Sequence, residues 1–96
     1  MSAYRLSPAA QADLDAIWTF GEKRWGVERA ELYIRQIQRA VETVANDPRR
    51  GRSCDDIRGG YFKFTAGTHV LFFRCDGDVI EIVRILHQRM DFDSHL

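Results

Sequence analysis

The stretch Tyr61–Leu86, YFKFTAGTHVLFFRCDGDVIEIVRIL, decides the fold. It divides into three short runs of strand-forming residues separated by turn signals. Tyr61 to Ala66 alternates, with Phe62 and Phe64 on one face, and Gly67 turns the chain. His69 to Cys75 is apolar on both faces, which predicts a central strand. Asp76-Gly77-Asp78 is a tight hairpin signal, and Val79 to Leu86 is the third strand. Three antiparallel strands need an apolar cover, and the residues before them supply one.

Glu28 to Asn46 carries the clearest helical period in the chain, with Ala30, Tyr33, Ile34, Ile37, Val41, Val44 and Ala45 on one stripe. Asn46-Asp47-Pro48 ends it, because the residue before proline avoids helical geometry. Upstream, Ser7-Pro8 is an N-cap followed by a first-turn proline. The helix they open runs to Trp25 and sets Ala10, Leu14, Ile17, Trp18, Gly21 and Trp25 on one face. Gly26 stops it, and so short a link makes the two helices an antiparallel hairpin. Ala3 to Leu6 alternates and reads as a first strand, whose docking place the pattern does not give. Arg49 to Gly60 is a loop by composition, and His87 to Leu96 is a short polar tail. The expected architecture is α+β, in the order β-α-α-β-β-β, with the helical hairpin packed on one face of a mainly antiparallel four-stranded sheet.

The length of 96 residues allows one domain, residues 1–96. The longest apolar run, Val70 to Phe73, is far too short for a membrane span, and residues 1–20 have no signal-peptide core, so a cytoplasmic protein is expected. Fourteen acids cancel 14 bases, which argues against strong direct nucleic-acid binding. The bases are nonetheless clustered: from Arg49 to Arg74 there are six against two acids. Arg49, Arg50 and Arg52 in that run read as a solvated loop. Cys54 and Cys75 make no disulfide framework and lack metal-ligand spacing, although the basic loop around Cys54 is of a kind that lowers a thiol pKa.

No nucleophile–base motif, phosphate loop or metal set is present, so neither cofactor nor metal is expected. Acid–base cleavage of RNA needs only an acid, a base and cations on the phosphate, and His87, Arg58 and Lys63 are of the right types. The plainer reading makes them surface groups, with Arg84 paired to Asp55 or Asp56. Phe20 and Leu32 lie off their helical stripes and point to a partner groove on the hairpin. The segment from Arg84 and His87 through Gln88, Arg89, Met90 and Asp91 is rich in hydrogen-bonding groups suited to another polar surface.

The chain resembles ParE-type toxins of the RelE/ParE superfamily of toxin–antitoxin systems. The resemblance runs through Leu6-Ser7-Pro8-Ala9-Ala10, Arg24-Trp25-Gly26, Asn46-Asp47-Pro48, Gly51-Arg52 and Asp56-Ile57-Arg58-Gly59-Gly60-Tyr61. It continues in Gly67-Thr68-His69 and Val83 to Asp91. It implies a toxin that holds DNA gyrase in its DNA-cleaved state by binding rather than catalysis, neutralised in a hetero-oligomer by a ParD-like antitoxin. On that footing Phe20 and Leu32 are the antitoxin-binding residues, and Arg84 and His87–Asp91 the gyrase-directed surface. The alternatives are a RelE-type ribosome-dependent mRNA endonuclease using His87, Arg58 and Lys63, and a non-toxic antitoxin-binding co-repressor.

Overall fold

A computed structural model describes residues 3–96. The elements are β1 (Ala3–Leu6), α1 (Pro8–Trp25), α2 (Val27–Asn46), a 3-10 turn (Pro48–Arg50), β2 (Arg52–Ser53), β3 (Phe62–Ala66), β4 (His69–Asp76), β5 (Val79–His87) and α3 (Phe92–His95). The sheet order is β1-β5-β4-β3-β2, so β4 is central as its two-faced apolar pattern requires. The meander β3-β4-β5 is antiparallel, and its two-residue turns fall at Gly67-Thr68 and Gly77-Asp78. β1 docks beside β5 in parallel register, Ala3 opposite Val79 and Leu6 opposite Ile82.

The sheet has five strands where four were expected. The addition is Arg52–Ser53, which pairs antiparallel with Lys63 and Phe62 inside a segment whose Gly, Arg and Asp content reads as loop. A two-residue strand has too few side chains to show alternation.

The Ser7 hydroxyl accepts the N–H of Ala10 at 3.0 Å and so caps α1. Gly26 then carries φ of +93° and serves both helices: its N–H reaches the carbonyl of Glu22, and its own carbonyl accepts from Ala30. That backbone conformation favours glycine and folds α1 back on α2 in one residue. The helices meet closely at Gly21, where an added Cβ would stand 3.2 Å from that of Ala30. Together they bury Ala10, Ile37, Val41 and Val44 against Leu71, Phe73, Ile80, Ile82 and Ile85. At about 25 cal/mol per Å² of apolar surface, this layer is the main stabilising contact of the fold.

The opposite face is also covered. Val70, Phe72 and Leu86 pack with Cys54 from the loop, Ile57 and Tyr61 beside it, and Phe92 and Leu96 from the C-terminus. Phe72 and Phe92 meet edge to face, 4.8 Å between centroids. Residues 87–96 are therefore a turn followed by a docked helix rather than a simple polar tail. No helix of the described residues is long and apolar enough to cross a membrane.

Candidate functional site at the turn end of the helical hairpin

The link at Gly26 leaves Phe20, Trp25, Val27 and Leu32 exposed at the turn end of the hairpin. Phe20 is 61% and Leu32 59% exposed, in keeping with their off-stripe positions. Trp25 departs from expectation. Its period places it on the buried stripe of α1, yet it is 41% exposed, standing as the last residue of that helix. It joins the two off-stripe residues into one surface. On one side, a cavity of about 420 Å³ is lined by Phe20, Trp25, Tyr33, Thr68, His69 and His87, with Ala16 and Ile17 behind. On the other, a shallower depression of about 230 Å³ is lined by Trp25, Arg29, Leu32, Tyr33 and Gln36.

The aromatic groups form a continuous row. Centroid separations are 6.1 Å for Phe20–Trp25, 6.0 Å for Trp25–Tyr33, 5.5 Å for Tyr33–His69 and 5.3 Å for His69–His87. The Arg29 guanidinium lies 5.9 Å over the Trp25 ring, a cation–π distance. The Tyr33 hydroxyl fixes the row to the sheet: it accepts the N–H of Thr68 at 3.1 Å and lies 2.6 Å from Nδ1 of His69. Gly67 permits this approach. Its φ is +61°, and a Cβ there would stand 2.7 Å from the Tyr33 ring.

His69 and His87 are cross-strand partners. Burial pushes the His69 imidazole below its ordinary value, the facing His87 adds to that shift, and Asp13 opposes it. Nδ1 of His87 accepts the N–H of Arg89 at 3.1 Å, which leaves Nε2 to carry the proton of the neutral ring. A mainly apolar cavity with two imidazoles on its wall suits an apolar or aromatic anchor group that also makes a hydrogen bond.

Arg84 does not pair with Asp55 or Asp56. Its Nε and Nη2 donate to the two carboxylate oxygens of Asp13 at 2.7 and 2.8 Å, and Nη1 donates to the carbonyl of His95 at 3.1 Å. Asp13 also accepts the N–H of Ile85 at 2.9 Å. The reason is topological: β1 ends opposite Ile82, so β5 has a bare edge beyond it. Register across β4 shows one extra residue there, Val83, whose carbonyl accepts the Ser7 hydroxyl at 2.7 Å. The start of α1 thus completes the edge, and Arg84 binds α1, β5 and α3 together. Asp55 instead accepts the N–H of Gly60 at 2.8 Å.

Beyond Arg84, the carbonyl of His87 accepts the N–H of Met90 at 2.9 Å and closes a turn, while the N–H of Gln88 reaches the carbonyl of Thr68. Gln88, Arg89 and Met90 are exposed on that turn. Asp91 caps α3 through the N–H of Asp93 and the hydroxyl of Ser94.

The three residues of the nuclease alternative are not gathered. His87 pairs with His69, which shares the hairpin-side face with Leu71 and Phe73. Lys63 is in register with Phe72, whose face is the other one. Arg58 lies in the loop, 5.9 Å over the Tyr61 ring. The Cys54 thiol is fully buried, and burial pushes its pKa up, overriding the Lys63 charge that acts to lower it. The expected effect of the basic loop is thereby reversed. Among the described residues no group of three or more His, Cys, Asp or Glu side chains is placed to hold a metal.

The family model for the ParE toxin of the type II toxin–antitoxin system parDE matches residues 4–92. The chain belongs to the ParE toxin family. It is 54% identical to Toxin ParE1 of Mycobacterium tuberculosis over 96 residues, covering 99% of this chain and 98% of that one. It is 47% identical to Toxin ParE1 of Caulobacter vibrioides, covering 100% and 99%. Among solved structures, the chromosomal ParDE toxin–antitoxin system of P. aeruginosa superposes with a TM-score of 0.79 at 26% identity, over 91% of this chain and 96% of that one.

In this ParE-family chain, the sequence pattern showed Phe20 and Leu32 to be off their stripes and exposed, but not the residues that connect them. Trp25 and Tyr33 look like core residues by period, and His69 enters only through the Gly67-Thr68-His69 resemblance, with no role attached to it. The available signal was Trp25-Gly26-Val27: two large apolar residues flanking a one-residue helical link have nothing above them to pack on. Asp13 gave no signal, since a carboxylate on a half-exposed helical position is ordinary.

Proposed function

We propose that this ParE-family protein poisons DNA gyrase by binding, stabilising the DNA-cleaved state, and that a ParD-like antitoxin neutralises it in the cytoplasm. Family membership supports the first part. The separation of His87 from Lys63 and Arg58 supports a binding mechanism over RNA cleavage, because a phosphorane needs its acid, base and cations around one atom. A poison of this kind needs only a higher affinity for the cleaved conformation than for the others.

The antitoxin site is the surface around Trp25. An amphipathic segment laid across it would set one apolar side chain into the Phe20–His69 cavity and another beside Leu32. The gyrase-directed surface is His87 with the exposed turn Gln88, Arg89 and Met90, and Arg84 and Asp91 hold that turn in place. The two surfaces meet at His87, which lines the antitoxin cavity and begins the turn, so an antitoxin seated there would obstruct gyrase directly.

The test is purified protein with gyrase, supercoiled DNA and ATP, scored for trapped double-strand breaks after detergent and protease. Poisoning predicts linear DNA that rises with toxin and is abolished by prior addition of antitoxin. Intact supercoiling at large excess would contradict it.

A further inference from the structure

Each of the five strands carries one Lys or Arg: Arg5, Arg52, Lys63, Arg74 and Arg84. Three of these are neutralised. Arg5 pairs with Asp76 at 2.6 Å and Glu81 at 3.1 Å, Arg74 with Glu81 at 2.8 Å, and Arg84 with Asp13 at 2.7 Å. Arg52 and Lys63 have no ion-pair partner among the described residues, although they are directly opposite each other in the β2–β3 ladder. Directly opposed residues share a face and stand about 5 Å apart at Cβ, where like charges destabilise. Arg50, one residue before Gly51, joins them. Gly51 holds that corner tightly to the sheet, since a Cβ there would stand 2.4 Å from the buried Phe73 ring.

The three cations line one open cavity of about 450 Å³ on the face turned away from the helical hairpin. Thr65 and Val70 complete its floor, and Phe92 forms one wall. Among the described residues no carboxylate lines it; of the two that flank Phe92 in sequence, Asp91 is engaged in capping α3 and Asp93 is outside the lining.

We propose that this cavity binds the phosphodiester backbone of a nucleic acid. Two arginines and a lysine at close spacing match consecutive phosphates, and arginine is the side chain whose planar fork suits phosphate oxygens. A bound phosphate would relieve the Arg52–Lys63 repulsion. The overall charge of zero keeps the binding weak and local. This site lies on the other face of the sheet from the Trp25 surface and does not depend on gyrase as target.

The experiment measures fluorescence anisotropy of a labelled single-stranded dT20 and a 20-base-pair DNA duplex, without gyrase or antitoxin, from 25 to 200 mM salt. Binding should fall with log salt at a slope of about −2 to −3, as expected for three phosphate contacts. Arg52→Glu should weaken DNA binding tenfold or more, while turning the repulsive pair into an attractive one and raising Tm by about 2 °C. Arg74→Ala, which removes a cation already paired elsewhere on the same face, should leave DNA binding within about twofold. No binding at 25 mM salt, equal binding by Arg52→Glu, or tighter binding of a polyglutamate peptide than of either DNA would each overturn the proposal. The Tm rise separates loss of a phosphate contact from loss of fold.

Discussion

Asp13 does more than its exposure suggests. One carboxylate satisfies an Arg84 guanidinium and the edge N–H of Ile85, at side-chain exposures of 15% and 23% for the ion pair. Removing it leaves a charge and a half-buried donor unpaired, so Asp13→Ala should cost about 2–3 kcal/mol in urea unfolding, and Asp13→Asn distinctly less. Equal losses would show that the hydrogen bond to Ile85 contributes nothing. His69 makes a second prediction. Its folded pKa is depressed by burial, so the unfolded chain binds the proton more readily, and stability must fall as pH drops below about 6.5. An NMR titration should put the His69 midpoint below that of a free imidazole; a midpoint at or above 6.5 would contradict the buried, neutral ring. At this scale the sequence was legible where one residue carries one local job, as in the Ser7 cap and the Gly26 link. It was silent on Asp13 and His69, whose partners are 72 and 36 residues away.

Among the elements, the hairpin and the C-terminus behave differently. The hairpin is held by its stripe, so the exposed residues at its turn end tolerate change. Phe20→Asp and Leu32→Arg should leave the circular dichroism spectrum and Tm nearly unchanged while weakening a ParD-like antitoxin at least about thirtyfold, the loss typical of a central apolar anchor. Calorimetric titration checks this, and wild-type affinity in both variants would place the antitoxin elsewhere. The C-terminus is the reverse. Deleting residues 90–96 removes Phe92 and Leu96 from over Phe72, so the truncated chain should lose stability, and lost poisoning by it would say nothing about gyrase contacts. Arg89→Glu and Met90→Ala on the exposed turn are the informative changes. Strong periodicity made the two long helices and three meander strands readable. β2 and α3 escaped because two and four residues are too few to show a period, and both form only through tertiary partners.

For the whole molecule, a chain without net charge sorts its charges by place. One end of the sheet face turned away from the hairpin carries the Arg5–Asp76–Glu81–Arg74 cluster, where hydrogen bonds from Arg74 and then Arg5 hold the Glu81 carboxyl below its usual range. A depressed carboxyl contributes stability above its unfolded value near 4.5 and loses it as pH falls through the folded value. Glu81→Gln should therefore lower Tm at pH 6 and converge on the wild type toward pH 3, and a constant gap would exclude the ionic contribution. Composition showed the local excess of bases from Arg49 to Arg74. It did not show that Arg74 is neutralised while Arg52 and Lys63 are not, because pairing across a sheet depends on register. Whether the protein poisons gyrase by binding is read from the cleavage assay. Protease-released linear DNA should rise in proportion to toxin and be retained in His87→Gln within about tenfold, since no proton transfer by His87 is needed. Undisturbed supercoiling at large toxin excess, or cleavage of mRNA on ribosomes lost by two to four orders of magnitude in His87→Gln, would contradict poisoning by binding.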